Sequence, residues 1–315
     1  MSFLPTFAEV QNAHGIVKKY AHRTPVLTSS SIDRIVGGNL FFKCENFQKV
    51  GAFKFRGACN AVFSLTDKEA EKGVATHSSG NHAAALALAA KMRGIAAHIV
   101  MPSNSPEIKK IAVAGHGAKI TFCEPTLQAR ENTLAQIVVE TGATEIHPYN
   151  NFNVIAGQGT AVKELIEDFG DFDLIIAPVG GGGLLSGTIL STKYLLPNCK
   201  VIAAEPAGAD DAFQSFHAKK VIPSVNPKTI ADGLLTSLGE RNFAIIMKNV
   251  DDIVTVSEDK IVEAMRMIWE RMKIIIEPSS AVPLAAILEG KIDVQNKKVG
   301  IILSGGNLDF GKLPF

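Results

Sequence analysis

The chain has 315 residues, 46% of them hydrophobic, with a formal net charge of +1, which is enough for a large core and two domains. Charge this close to balance, with no aromatic-interleaved basic patch and no acidic tail, gives no footing for a nucleic-acid partner or a cationic one. Apolar stretches such as Ala83 to Ala90 are too short to span a bilayer, and Met1-Ser-Phe-Leu-Pro5 has neither a basic lead nor a cleavage pattern, so neither a membrane segment nor a secretory signal is expected.

In chain order, helical spacing over residues 6–22 ends at Thr24-Pro25. Leu40-Phe-Phe-Lys43 reads as a short strand, and a helix is expected over about 53–65. A strand-then-helix rhythm follows. Strands are predicted over 73–76, 97–101, 119–122 and 145–147, with helices over 81–92, 106–114 and 127–141 between them. Four short strands separated by helices make a compact parallel α/β unit. Beyond Tyr149-Asn-Asn151 the pattern gives a helix over 157–169, a strand over 173–177, a helix over 184–195 and a strand over 200–204. Further on come a strand over 253–256, helices over 259–272 and 280–288, and a strand over 299–303. No Gly/Ser linker or repeat interrupts the chain. The expected arrangement is therefore interleaved: a large domain from 1–69 and 149–315, and a small mobile domain, 70–148, inserted into it. Cys44, Cys59, Cys123 and Cys199 show no CxxC or His-paired spacing, which reads as reduced thiols in a cytoplasmic protein.

Four stretches carry chemistry. In Gly51-Ala-Phe-Lys-Phe-Arg-Gly-Ala58, Lys54 lies between two phenylalanines. Apolar surroundings penalise its charged form and leave the amine neutral and nucleophilic, as a Schiff base requires; the alternative is a solvated lysine at a helix start. The strand over 173–177 runs into Pro178-Val-Gly-Gly-Gly-Gly183 and then a helix. Converging backbone N–H groups and a helix N-terminus suit a phosphate, although the run matches neither a Walker loop nor a dinucleotide fingerprint; a flexible turn is the alternative. Ser78-Ser-Gly-Asn-His82 follows a strand and opens a helix, where a carboxylate would fit, with simple serine capping as the competing explanation and a packed first-turn role for His82. Ser304-Gly-Gly-Asn307 also follows a buried strand, placing one hydroxyl where a flat ring could approach.

Together with Thr76–His82, Ala156-Gly-Gln-Gly-Thr160, Ala203-Ala-Glu-Pro206, Ile230-Ala-Asp-Gly233 and Glu277-Pro278, these stretches resemble, in order and over nearly the whole chain, the serine racemase and serine/threonine dehydratase family of fold-type-II pyridoxal-phosphate enzymes. The resemblance implies an α/β fold like that of tryptophan synthase β, with a large, mostly parallel sheet domain and a smaller inserted α/β domain. It implies that Lys54 forms the internal aldimine and acts as base on one face of the substrate Cα, with Ser79 the acid/base on the other. Phe53 would pack on the cofactor ring, Asn81 would bond its 3-hydroxyl, Gly180, Gly181, Gly182, Gly183 and Leu184 would cradle its phosphate, and Ser304 would meet its nitrogen. The substrate would lie against Ser78, Ser79, Asn81 and His82, with Arg130 and Asp232 completing its site. A serine at the ring nitrogen, unlike an aspartate, need not keep it protonated, so racemisation and loss of a β-hydroxyl compete.

By the same resemblance, Glu205, Asp211 and the Ala209 carbonyl would hold Mg²⁺, or Ca²⁺ or Mn²⁺ in its place, as hard oxygen ligands suit such ions. It also implies a homodimer activated by ATP at its interface, with Ser30, Ser31, Lys49 and Lys109 matching positions used there. Val50 and His116 replace a threonine and a tyrosine of the animal pattern, and Tyr149 replaces an asparagine. The expected function is serine racemisation with dehydratase activity. The alternatives are an L-threonine/L-serine or threo-3-hydroxyaspartate dehydratase, and an inactive ligand sensor on the same scaffold.

Overall fold

The structure, a computed structural model, describes residues 4–78, 80–105 and 107–315. Thirteen helices of α type and ten strands follow one another among the described residues. The chain opens with α1 (Phe7–Val17), β1 (Val26–Leu27), α2 (Ser30–Val36), β2 (Asn39–Cys44), α3 (Lys54–Phe63) and α4 (Asp67–Ala70). There follow β3 (Val74–His77), α5 (Asn81–Arg93), β4 (Ala97–Pro102), α6 (Glu107–Gly115), β5 (Lys119–Cys123), α7 (Leu127–Thr141) and β6 (Thr144–Glu145). The remainder is α8 (Phe152–Phe169), β7 (Leu174–Pro178), α9 (Gly183–Leu195), β8 (Lys200–Pro206), α10 (Asp211–Ala218), α11 (Glu240–Asn249), β9 (Asp252–Val256), α12 (Glu258–Met272), α13 (Pro278–Leu288) and β10 (Lys298–Leu303).

Six strands form one sheet in the order β1-β2-β10-β7-β8-β9, and four form another in the order β5-β4-β3-β6. Every pairing is parallel except β1 with β2. Parallel strands need crossover helices, which cover both sheet faces, so the strands read as unbroken apolar runs such as Leu174-Ile-Ile-Ala177. On the large sheet one face packs against α2, α12 and α13, the other against α8, α9 and α11. The small sheet packs α3 and α5 on one side and α7 on the other. No helix among the described residues is long and apolar enough to cross a membrane, and all four cysteines are free.

Several boundaries differ from the sequence-based expectation, each for a local reason. The first helix stops at Val17, where the Lys18 and Tyr20 amides turn back onto His14 and Val17 carbonyls; Tyr20 then stacks on Phe63, with ring centroids 3.9 Å apart. Helix α8 starts at Phe152 because the Asn151 side chain caps the Val154 amide at 3.0 Å, the usual work of an N-cap asparagine. Strand β6 covers Thr144–Glu145. The sequence pattern did not suggest α2, α4, α10 or α11.

Two features fix α3. Gly57 and Gly157 face each other where α3 crosses α8, and a Cβ on Gly157 would lie 2.7 Å from both the Arg56 carbonyl and the Gly57 Cα. The second is a buried charge cluster. Arg56, wholly buried, donates to Glu45 from Nε (2.7 Å) and Nη2 (2.8 Å) and to Glu164 from Nη1 and Nη2 (2.8 Å each). Lys43, also fully buried, donates to Glu164 and to the Thr24 carbonyl, each at 2.8 Å. Burial opposes ionisation of Glu164, but Arg56 and Lys43 outweigh it and hold the carboxyl down at about 2. Two cations meet two anions, so the cluster is neutral as a whole. Removing one member leaves buried charge uncompensated, typically at a cost of about 3–5 kcal/mol. Arg56→Leu should therefore lower the unfolding free energy obtained from a urea titration by a margin of that order, whereas Arg23→Leu, which breaks the half-exposed pair with Asp168, should cost no more than about 1 kcal/mol.

Candidate active site

The stretches singled out in the sequence converge at the C-terminal ends of parallel strands, the edge where open α/β sheets bind ligands. From β2 the chain passes through two short 3₁₀ turns, Glu45–Phe47 and Lys49–Gly51, to Lys54, the first residue of α3. The Lys54 segment is clipped to the loop after β10. Phe53 N–H donates to the Ser304 carbonyl at 2.9 Å, Gly306 N–H donates to the Gly51 carbonyl at 2.9 Å, and Ala52 bridges Gly305. Lys54 Nζ donates to the Pro148 carbonyl at 2.9 Å, with the Phe53 and Tyr149 ring centroids 5.2 and 5.9 Å away. Burial drags this amine down to about 8, against the pull of Glu277.

The glycine run leaves β7 and opens α9, with Gly182 at φ 87° as N-cap. The first amides of a helix have no intrahelical partner, and the macrodipole makes that end positive. Side chains are excluded here by close approach: a Cβ on Gly181 would lie 2.4 Å from the Tyr149 ring, and one on Gly182 would lie 2.8 Å from Asn242 Cβ. Asn242, wholly buried on α11, holds this loop by donating to the Gly181 carbonyl at 2.7 Å and the Tyr149 carbonyl at 3.2 Å.

Asn81 opens α5. Its Nδ2 donates to both oxygens of Glu277, at 3.1 and 3.2 Å, while its Oδ1 accepts from Asn307 Nδ2 at 2.9 Å. Asn307 Nδ2 also donates to the Val50 carbonyl at 2.7 Å, pinning a β-branched residue at φ 56°, a conformation such residues rarely adopt. Burial, then Asp232, push the Glu277 carboxyl up to about 7. Ser304 is buried after β10, with its Oγ 3.1 Å from Ser280 Oγ on α13.

Of the residues expected to face substrate, Ser78 accepts from the Gly80 amide at 3.4 Å through its Oγ; Ser79 lies outside the described residues. His82 is buried and donates from Nε2 to the Ile146 carbonyl at 3.1 Å. Burial keeps His82 well below the ordinary imidazole value and takes His147 down to about 4, so the imidazoles beside Lys54 are neutral. The Arg130 charge reaches His77 and Tyr149. Asp232 pairs with Lys109 at 2.6 Å, joining a residue expected at the substrate to one expected at a nucleotide. A cavity of about 490 Å³ beside them is lined by Val50, Asn81, Lys109, His116, Asp232 and Asn307 among others. Ser30, Ser31 and Lys49 do not line it; Ser30 opens α2, Ser31 Oγ lies 3.1 Å from Ser29 Oγ, and Lys49 Nζ lies 5.8 Å from the Phe55 ring centroid.

Further along, β8 carries Glu205 near its C-terminal end, and the chain then turns into Asp211, the first residue of α10. Glu205 accepts from the Ala212 and Phe213 amides at 3.2 and 2.9 Å, and Asp211 Oδ2 accepts from the Leu238 amide at 3.1 Å. Burial, then Asp211, push Glu205 up to about 9; burial raises Asp211 to about 6. Among the described residues no group of three or more His, Cys, Asp or Glu side chains could hold a metal, so a cation here would rely on two carboxylates, a carbonyl and water.

The residues fit pyridoxal phosphate: an amine brought down to about 8 for its aldehyde, a helix start without side chains for its phosphate, an oriented amide and a buried hydroxyl for its ring. Glu277, Asn242 and Ser280 are contributors that sequence reasoning did not assign. Glu277-Pro278 marked the stretch without a role; nothing local marks the other two.

Comparison with known proteins agrees with this geometry. Residues 17–305 match the model of the family described as "Pyridoxal-phosphate dependent enzyme". The serine racemase of Dictyostelium discoideum is 52% identical over 313 residues, covering 98% of this chain and 96% of that protein. The beta-hydroxyaspartate dehydratase of Paracoccus denitrificans is 50% identical over 313 residues, covering 99% of each. The crystal structure of the Dictyostelium discoideum serine racemase superposes with a TM-score of 0.94 at 51% identity, covering 98% of this chain and 100% of that one.

The lowered Lys54 value has a measurable consequence. Borohydride-fixed incorporation of pyridoxal phosphate into the apoprotein should rise with pH through about 8 and then level off. A rise continuing toward the ordinary amine value of about 10.4 would show that burial does not set the reactivity of this lysine.

Proposed function

The chain belongs to the pyridoxal-phosphate dependent enzyme family, and on that footing we propose that it interconverts L- and D-serine and also eliminates water from β-hydroxy amino acids, giving a keto acid and ammonia. The observation that carries this reading is the meeting of the half-buried Lys54 amine, the Gly180–Gly183 turn and Ser304, which follow strands of the large sheet, with Asn81, which follows a strand of the small one. Pyridoxal phosphate, when bound, supplies an aldehyde and an electron-withdrawing ring that acidifies the substrate Cα–H.

The chain's own groups do the rest. Lys54, neutral above about pH 8, is suited to take the Cα proton on its face. Ser79 is assigned the opposite face, where returning a proton inverts the centre. Phe53 would flank the ring, Asn81 presents an amide already oriented by Glu277 and Asn307, and the amides from Gly180 to Leu184 would hold the phosphate. Ser78, Asn81 and the start of α5 receive the substrate carboxylate, and the neutral imidazoles of His77, His82 and His147 add no competing charge.

A second reading, dehydration of threo-3-hydroxyaspartate with little racemisation, is favoured by the Arg130 charge reaching Tyr149 and His77, since a second substrate carboxylate would seek such a cation. Chiral analysis of products from a panel of β-hydroxy amino acids, with and without Mg²⁺ and ATP, separates the readings. D-serine from L-serine supports the first; keto acid from hydroxyaspartate alone supports the second. A colourless protein that takes up no pyridoxal phosphate would support neither, and would favour a ligand sensor. Ser79→Ala should abolish D-serine formation while sparing most pyruvate formation; equal loss of both activities removes the assignment of the second face.

Mg²⁺ is proposed at Glu205, Asp211 and the Ala209 carbonyl. Asp211 Oδ1 is buried without a hydrogen-bond partner, and two buried carboxylates close enough for Asp211 to raise Glu205 are what a hard divalent cation relieves. At a hundred times its Kd, Mg²⁺ should stabilise the protein by about 2.7 kcal/mol through mass action, read as a rise in Tm; Glu205→Gln should abolish that rise. If the variant keeps it, the cation binds elsewhere. ATP as an activator, and a cytoplasmic homodimer with a mobile small domain, complete the proposal.

A further inference from the structure

Asn242 grips the glycine turn from one side, and its bonds determine which way that turn faces. It is wholly buried on α11, a helix seated on the large sheet through Ile245 and Ile246. Its Nδ2 reaches two carbonyls, that of Gly181 at 2.7 Å and that of Tyr149 at 3.2 Å. A carbonyl can only accept, so the nitrogen end of this amide must be the one that points at the turn. Its Oδ1 is buried without a partner. An apolar residue would fill the same space without an unmet acceptor, so what this side chain adds is its pair of N–H bonds. The two carbonyls depend on them unequally. The Tyr149–Asn150 segment is fixed elsewhere: its amides donate to His147 Nδ1 at 3.4 and 3.0 Å, and Asn150 Oδ1 accepts from the Arg241 amide at 3.1 Å. Among the described residues the Gly181 carbonyl has, besides Asn242, the longer contact from the Gly239 amide at 3.2 Å.

A trans peptide is planar, and its N–H points opposite to its carbonyl. The Gly181–Gly182 peptide is trans, so the bond that draws the Gly181 carbonyl toward Asn242 turns the Gly182 amide the other way, at the start of α9. We infer that Asn242 is a positioning residue for the cofactor phosphate: by holding the Gly181 carbonyl it aims the Gly182 amide at that phosphate. The inference rests on the assignment of pyridoxal phosphate to this site. Neither Gly181 nor Gly182 has a Cβ, so nothing local resists rotation of the peptide between them. Without the Asn242 amide that peptide populates other orientations, and affinity falls with the fraction still facing the phosphate. The effect is confined to one end of the cofactor. Pyridoxal, which has the aldehyde and the ring but no phosphate, makes no use of the turn.

The test titrates the full-length apoprotein with pyridoxal phosphate and, separately, with pyridoxal, following the visible absorbance of each bound form. In Asn242→Ala the dissociation constant for pyridoxal phosphate should rise about tenfold, the scale of one hydrogen bond, while that for pyridoxal stays within about twofold of wild type. Equal weakening of both ligands marks a general packing role and overturns the inference, and so does unchanged binding of pyridoxal phosphate. A second measurement needs no variant and decides the matter even if Asn242→Ala does not fold. In wild-type protein labelled with ¹⁵N-glycine, pyridoxal phosphate should move the Gly182 amide proton downfield, and pyridoxal should not. A Gly182 resonance that responds alike to the two ligands overturns the inference. Uptake of pyridoxal phosphate with that result defeats only this inference. No uptake at all defeats the functional reading, and this inference with it.

Discussion

The arrangement of the site depends on the charge cluster beneath α3. Arg56 is two residues from Lys54, and its guanidinium is held by Glu45, just after β2, and by Glu164 on α8. Lys43, within β2, holds Glu164 in turn. The helix that starts with the reactive lysine is thus tied by charge to the large sheet below it and to the long helix beside it, while the Gly57–Gly157 crossing sets the separation. Buried ion pairs contribute little net stability compared with apolar packing. Their contribution here is geometric, because a guanidinium chelated on two sides has one orientation.

Above the cluster the electrostatic character reverses. Burial brings the Lys54 amine down to about 8, Glu277 titrates near neutral pH, and the histidines around them are uncharged. Desolvation is the first cause in each case. The site is therefore a poorly solvated pocket whose own groups carry little net charge, with charge reserved for what enters it. Groups with values near the working pH can exchange protons at low cost, which is the requirement for moving a proton at carbon. The cluster below positions the chemistry and the pocket above adjusts it. The same chain segment, Glu45 to Arg56, serves both.

Much of this was legible in the residues, for identifiable reasons. Buried parallel strands announce themselves as apolar runs, so Asp173–Ala177 and Val299–Leu303 read correctly to within a residue. Lys54 was legible because its neighbours are aromatic and glycines bound its turn. The four-glycine stretch was legible because few other sequences join a strand to a helix that way. What escaped was set by partners distant in sequence. Glu277 orients Asn81 across a separation of 196 residues, and neither residue's neighbourhood announces the other. Asn242 looks like any polar residue of α11 until its amide is seen holding the Gly181 carbonyl. The start of α8 was hidden because Tyr149-Asn-Asn151 has the composition of a loop, yet its last asparagine is a cap. Helices α10 and α11 lie in a polar stretch whose apolar residues gain meaning only against the sheet face they cover.

Strand β10 comes last among the strands in the chain but lies in the middle of the large sheet, between β2 and β7. During synthesis the four-stranded sheet can close once residue 145 has emerged, whereas β2 and β7 must wait with open edges, a state prone to wrong pairing. The loop that follows β10 is also the one clipped to the Lys54 segment. A growing chain on the ribosome therefore gains its binding pocket only once β10 and the loop after it have taken their places. Before that there is no assembled pocket in which to hold a reactive aldehyde, and capture of the cofactor reports that β10 has entered the sheet.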